Sequence, residues 1–215
     1  MRKLMITPWF GPAPPWMNKY WDLAYSLSAH GYVWLLETNI EQFKQRVWKT
    51  LGIPDAPIVF GQAKVHDYRP VFGALYEEEI KDYDFWGFTD FDCVYGRVER
   101  WDTDEFLSDL DVHSDHDSYL CGPWSLLRST PEVANLFRED PYWKDNLKNP
   151  VVTGWGEQSF SRILEQSGLR YKYTAWHGND RVCPPEQVRM DGRSLLAGGI
   201  EIPMYHFRRT KRWPS

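Results

Sequence analysis

Asp90-Phe91-Asp92 places two carboxylates one residue apart, an arrangement suited to a hard divalent cation. Mg or Mn takes oxygen ligands, often one or two protein carboxylates together with substrate phosphates, so few protein ligands are needed. The tripeptide by itself also fits a solvated strand end, because paired acids near turns are common. Its setting says more. The apolar run Phe85, Trp86 and Phe88 predicts a buried strand from Phe85 to Phe91. Alternation along that strand would send residues 90 and 92 to the same side. It would also bring them to the carboxyl edge of an open α/β sheet, where such sheets hold their ligands.

The flanking residues carry a resemblance. His66-Asp67-Tyr68-Arg69-Pro70 with Phe72-Gly73, and Tyr83-Asp84-Phe85-Trp86-Gly87 leading to the Asp-x-Asp and Gly96, resemble small GT-A-type glycosyltransferases of bacterial and viral polysaccharide gene clusters. The likeness is specific in this central third of the chain and looser elsewhere. It implies an α/β GT-A domain, Rossmann-like, over residues 1–215, with a mostly parallel central sheet and a mixed edge. It further implies metal-dependent transfer of a sugar from a nucleotide-sugar, UDP-linked as the first expectation, to an acceptor hydroxyl. In such enzymes a carboxyl-terminal histidine is a third metal ligand and a nearby lysine meets the diphosphate. His206-Phe207-Arg208-Arg209-Thr210-Lys211 resembles that segment. On this reading Asp90, Asp92 and His206 hold Mn or Mg, Asp90 alternatively meets the ribose, and Lys211 with Arg69 faces the leaving diphosphate. Glu157 matches an acidic position by the acceptor, as base or ligand. A polar residue is expected after Gly122, and Pro123 stands there instead.

The elements that must position these groups follow from pattern. Lys3 to Ile6 reads as a first strand, and Thr7 and Trp9 begin a loop kept irregular by Gly11, Pro12, Pro14 and Pro15. A strand followed by a fixed loop is a place for a nucleotide, which makes Thr7 and Trp9 candidate contacts. Tyr20, Leu23, Ala24 and Leu27 recur at helical spacing, Gly31 stops the helix, and Tyr32 to Leu36 is a second strand. Asn39 with Gln42 caps a helix whose stripe is Ile40, Phe43, Val47 and Leu51. Pro57 to Phe60 reads as a short strand. Pro70 suits a helix's first turn, which sets Asp67 and Arg69 just before a helix start. From spacing they are a cap and a surface cation; the resemblance makes them nucleotide contacts.

Asp109, Asp111, His113, Asp115, His116 and Asp117 lie in a stretch poor in apolar residues and read as a solvated loop, not a metal centre. Tyr119 to Leu127 reads as strand, turn, strand, and Thr130 with Pro131 opens a helix. Glu157 enters the first turn of another helix after Gly154 and Gly156, where the helix dipole favours a carboxylate. A hairpin turns at Asp191-Gly192, and Glu201 to Tyr205 is a last strand ending in His206.

Composition bounds the rest. A chain of 215 residues, 42% hydrophobic and 26% charged, predicts one globular domain. No apolar run is long enough to span a bilayer, and the proline-broken start does not read as a signal peptide, so a cytoplasmic protein is expected. Cys93, Cys121 and Cys183 lack metal-ligand spacing and read as reduced thiols. A net charge of -5 argues against broad nucleic-acid binding, although Arg208-Arg209-Thr210-Lys211-Arg212 is locally basic. The resemblance to enzymes of polysaccharide gene clusters implies a glycan hydroxyl as the first acceptor; a hydroxymethylated base such as 5-hydroxymethylcytosine in DNA is the alternative. A carbohydrate-binding protein without chemistry is the third reading.

Overall fold

The computed structural model describes residues 1–61, 63–179 and 181–207. In chain order the strands are β1 (Lys3–Pro8), β2 (Tyr32–Glu37), β3 (Phe85–Thr89), β4 (Cys93–Tyr95), β5 (Val112–Ser114), β6 (Trp124–Arg128) and β7 (Tyr171–Tyr173). They are followed by β8 (Gly178–Asn179), β9 (Val188–Asp191), β10 (Ser194–Ala197), β11 (Ile200–Ile202) and β12 (Met204–His206). The central sheet has the order β2-β1-β3-β6-β5-β7. The pairings β1 with β2, β1 with β3 and β5 with β7 are parallel, and β6 runs against both its neighbours. Five strands therefore share one direction, which is the mostly parallel α/β sheet that the sequence implied.

Alternation divides the apolar residues of each central strand between two cores. Leu4 and Ile6 of β1, with Trp86 and Phe88 of β3, face a core that includes Phe43, Phe72 and Tyr76. Met5 and Phe85 face the opposite one, with Tyr20, Tyr32 and Trp124. Because both faces are covered, β3 is buried at every position and reads as a continuous apolar run. Gly87 is fixed by the close approach of β6, since a Cβ there would strike the Ser125 carbonyl and the Leu126 side chain. Helix Met17–Ser26 links β1 to β2, and helix Ile40–Leu51 follows, with the Asn39 side chain accepting from the Glu41 and Gln42 amides.

A second sheet, β4-β12-β8, brings the end of the described chain to the edge of the first. β12 pairs antiparallel with β4 so that His206 lies opposite Cys93, and the Phe207 amide donates to the Asp92 carbonyl at 3.0 Å. The last strand predicted over Glu201 to Tyr205 is thus two, β11 and β12, parted at Pro203, which has no amide proton to keep a ladder continuous. β9 and β10 form the hairpin at Asp191-Gly192, with Gly192 at φ 59°.

Several local expectations are corrected. Residues 57–60 form no strand; Val59 and Phe60 are exposed, and Pro57 removes a donor that a ladder would need. The helical run before Phe72 starts earlier, as a 3-10 helix over Ala63–Val71, so Asp67 and Arg69 sit inside it rather than ahead of a helix start. Proline disfavours the α conformation in the residue before it, in keeping with the tighter helix giving way to α only at Phe72. Of residues 119–127, only those from Trp124 onward are strand. The stretch read as a solvated loop contains β5, with His113, Ser114 and Asp115 all buried. β3 ends at Thr89, so Asp90 and Asp92 leave from the turn after it and not from alternation along a strand.

Candidate active site

A cleft of about 710 Å³ opens where β1 and β3 end. Thr7, Trp9, Arg69, Asp90, Asp92, Glu157 and His206 all line it. Lys211 lies outside the described residues, as do Arg208, Arg209 and Arg212. Asp67 does not line the cleft. It is buried, takes the Lys64 ammonium at 2.8 Å, and accepts from the backbone amides of Thr153 and Gly154 at 2.8 and 3.0 Å. Its carboxylate holds the turn leading to Glu157.

The floor of the cleft is a chain of opposite charges. His206 Nε2 stands 3.2 Å from Asp92 Oδ1 and 3.8 Å from Asp90 Oδ2. The other Asp90 oxygen accepts from Arg69 Nη2, and Arg69 Nη1 lies 4.0 Å from Glu157 Oε1. The guanidinium rests over the Phe88 ring, 5.3 Å from its centroid, which limits its movement. Burial pushes the Asp90 carboxyl up, but Arg69 and the imidazoles of His66 and His206 outweigh it and hold the group below the usual carboxylate range. Gly122 closes the floor: a Cβ there would strike Arg69 Nη1 and come within 2.9 Å of Asp90 Oδ2. The residue after it, Pro123, uses its carbonyl to accept from Thr89 Oγ1 at 2.6 Å, so this loop braces β3 through its backbone.

The ligand-type atoms fit a cation. Asp92, Cys93 and His206 bring one such atom each within 4.8 Å of one another, all three residues being buried. A carboxylate oxygen and an imidazole nitrogen suit Mn, and Asp90 adds a second carboxylate beside them. Cys93 fits less well. Burial, with Asp92 and Asp90 nearby, pushes its thiol well above the ordinary range, and a protonated thiol is a poor partner for a hard ion. The cysteine was not foreseen as part of this cluster; it follows Asp92 directly, and only the pairing with β12 reveals its place.

Aromatic residues line part of the cleft. The Trp9 ring meets Phe91 edge-on at 5.1 Å and its Nε1 donates to the Pro12 carbonyl at 3.1 Å, so the ring is held at the rim. Thr7 is buried in the wall, its hydroxyl donating to the Leu35 carbonyl at 3.4 Å. His116, read from the sequence as part of a solvated loop, also lines the cleft, as do Tyr119 and His177.

The chain belongs to a family of unknown function, DUF6625, which matches residues 22–192. No curated protein matches the sequence. Among solved structures it is similar to a glycosyltransferase involved in the glycosylation of the major capsid of PBCV-1, with TM-score 0.62, 11% identity, and 98% of this chain and 94% of that chain covered. Mouse xyloside xylosyltransferase 1, in its apo form, aligns at TM-score 0.49 and 9% identity, covering 99% of this chain and 100% of that one. The first likeness shows that the fold is a glycosyltransferase fold. No helix among the described residues is long and apolar enough to cross a membrane.

Proposed function

We propose that this protein is a metal-dependent glycosyltransferase that moves a sugar from a nucleotide-sugar, UDP-linked by preference, to an acceptor hydroxyl on a glycan. The observation that carries the reading is the meeting of Asp92 and His206, 3.2 Å apart in a cleft at the carboxyl ends of β1 and β3. In an α/β sheet that edge is where a nucleotide is bound. Asp92 and His206 would hold Mn or Mg, with Asp90 as a further ligand or a partner for the ribose. The ion when bound supplies positive charge against the departing diphosphate.

The other residues divide the remaining work. Arg69 offers a second guanidinium donor pair to phosphate oxygens, and Thr7 and Trp9 flank the nucleoside. Lys211 is proposed for the diphosphate as well. Glu157, across from Asp90 on the Arg69 guanidinium, faces the acceptor. Cleavage of the bond from the anomeric carbon to the diphosphate puts positive charge on the sugar and negative charge on the leaving group, so cations beneath the phosphate and carboxylates near the sugar both lower the barrier.

The test is calorimetric titration of UDP with MnCl2 present and with EDTA. Binding is expected only with the ion, and Asp92→Asn, which keeps the side-chain shape and removes the charge, is expected to lose it while retaining the parent's thermal melt. Equal titration curves with ion and with EDTA would overturn the metal-dependent reading.

A further inference from the structure

Beside one imidazole that lines the cleft, His177, lies a buried carboxylate. Asp115 is 2% exposed, and its Oδ1 accepts from the Trp176 amide at 2.7 Å and from Thr174 Oγ1 at 3.1 Å. Those two bonds turn Oδ2 towards His177, whose Nδ1 stands 3.6 Å from it. His177 Nδ1 is buried and makes no hydrogen bond among the described residues. His177 lines the cleft, and with Nδ1 beside Asp115 it is Nε2 that would serve a group bound there. Thr174 Oγ1 is also 3.0 Å from His113 Nε2, so the carboxylate is fixed from behind by a second strand.

The chain direction brings this imidazole towards the reaction centre. β8 begins just after His177, and its Asn179 lies in register with His206. His177 and Asn179 both line the cleft, as alternation along the segment requires. Two residues of strand span about 7 Å, so His177 stands roughly one sugar ring along from the Asp92–His206 pair.

We propose that His177 is the group that accepts the proton of the acceptor hydroxyl, with Asp115 as its positioning residue; this rests on the glycosyltransferase reading above. The negative charge of a buried carboxylate beside an imidazole favours the imidazolium that forms when the ring takes a proton. Glu157, the acid expected in this role, already faces Arg69. In the step, the acceptor oxygen forms its bond to the anomeric carbon as its proton passes to His177 Nε2. The bond from that carbon to the diphosphate oxygen breaks, and its electron pair leaves with the nucleoside diphosphate. The imidazolium, held by Asp115, then releases the proton to solvent.

The experiment uses water as the acceptor, so the natural acceptor need not be known. The full chain is incubated with MnCl2 and a panel of UDP-sugars, and the donor it hydrolyses fastest is kept. His177→Ala is expected to lower kcat by about 100-fold or more, the usual scale of a lost general base, with UDP affinity within about twofold of the parent. Added imidazole is expected to restore part of that rate, which a merely structural role would not allow. His177→Gln, which keeps shape and hydrogen bonding but cannot take a proton, should be as slow as the alanine variant, and it is read in its place if alanine unfolds the chain. Asp115→Asn should lower kcat more than it raises KM. Hydrolysis at the parent rate in a folded His177 variant that still binds UDP would overturn this assignment and leave the donor site standing. A parent protein that neither binds UDP with Mn nor hydrolyses any UDP-sugar would overturn both.

Discussion

Lys64 and Asp67 form a fully buried ion pair, 2.8 Å from Nζ to Oδ2, beneath the turn that presents Glu157. The ammonium also donates to the carbonyls of Asn146 and Val151 at 2.9 and 3.1 Å, and the carboxylate collects the amides of Thr153 and Gly154. Every strong donor and acceptor of the pair is thereby engaged, the condition under which buried charge is tolerated. Asp67→Asn would leave the ammonium uncompensated. We expect a loss of about 3–5 kcal/mol in urea unfolding, the usual range for breaking one side of a buried pair. A loss below about 1 kcal/mol, the scale of a single neutral hydrogen bond, would show that the pair does not hold this turn.

Gly122 tests how tightly the floor of the cleft is built. Its missing Cβ leaves room for the Arg69–Asp90 contact, and neither partner can retreat freely, because Arg69 lies over Phe88 and Asp90 follows directly on β3. Gly122→Ala is expected to destabilise the protein by about 1–3 kcal/mol, as overpacking does, and to weaken UDP binding in the same variant. Thermal melts with and without Mn and UDP check both; unchanged nucleotide affinity would mean that the floor adjusts without disturbing the site.

The buried strand at Phe85 to Phe88 and the helix over 40–51 were legible in the sequence because an apolar run and helical spacing are local patterns. Asp92 and His206 could be named as candidates, but their meeting depends on β12 lying antiparallel to β4, a long-range pairing that no local pattern signals. The stretch 109–117 misled for a physical reason. Its buried side chains are largely polar ones: His113 packs between Phe106 and Trp176 with Nδ1 2.9 Å from Asp102 Oδ1, Asp102 accepts from Trp124 Nε1 at 2.7 Å, and Asp115 is held from Thr174 and Trp176. Hydrophobicity cannot flag a segment whose buried side chains are polar. Asp67 misled in the same way, because an acid near a helix start reads as a cap until its buried partner Lys64 is seen.

Asp111 gives a pH dependence with a definite sign. Burial raises its carboxyl, but the side chain and backbone amide of Arg170, and Arg128 beside it, outweigh this and leave the group below its ordinary value. A depressed carboxylate contributes stability above its unfolded value of about 3.9 and loses it as pH falls through the folded value. Asp111→Asn should therefore be less stable than the parent by about 1 kcal/mol at neutral pH, a figure kept small because the Arg170 side chain is more than half exposed. The gap should close as the pH drops below about 4. A gap that stays constant from neutral to acid pH in urea unfolding would show that charge is not its source.

Arg69 stands between Asp90 and Glu157 in the cleft. One guanidinium nitrogen takes Asp90, the other lies 4.0 Å from Glu157, and the planar group rests on Phe88. Lysine keeps the charge but presents it at a single point, so it cannot span both carboxylates or stack in the same way. Arg69→Lys should therefore leave Asp90 paired and release Glu157. For UDP binding in Mn we expect a loss of about 10-fold, since one charge still faces the diphosphate; Arg69→Met, which removes the charge and leaves Asp90 without its counterion, should lose more. The order of the three proteins, arginine above lysine above methionine, is the informative result. Equal affinity for the lysine variant and the parent would show that the bidentate geometry is irrelevant to the donor and that Arg69 acts only as a point charge beneath Asp90.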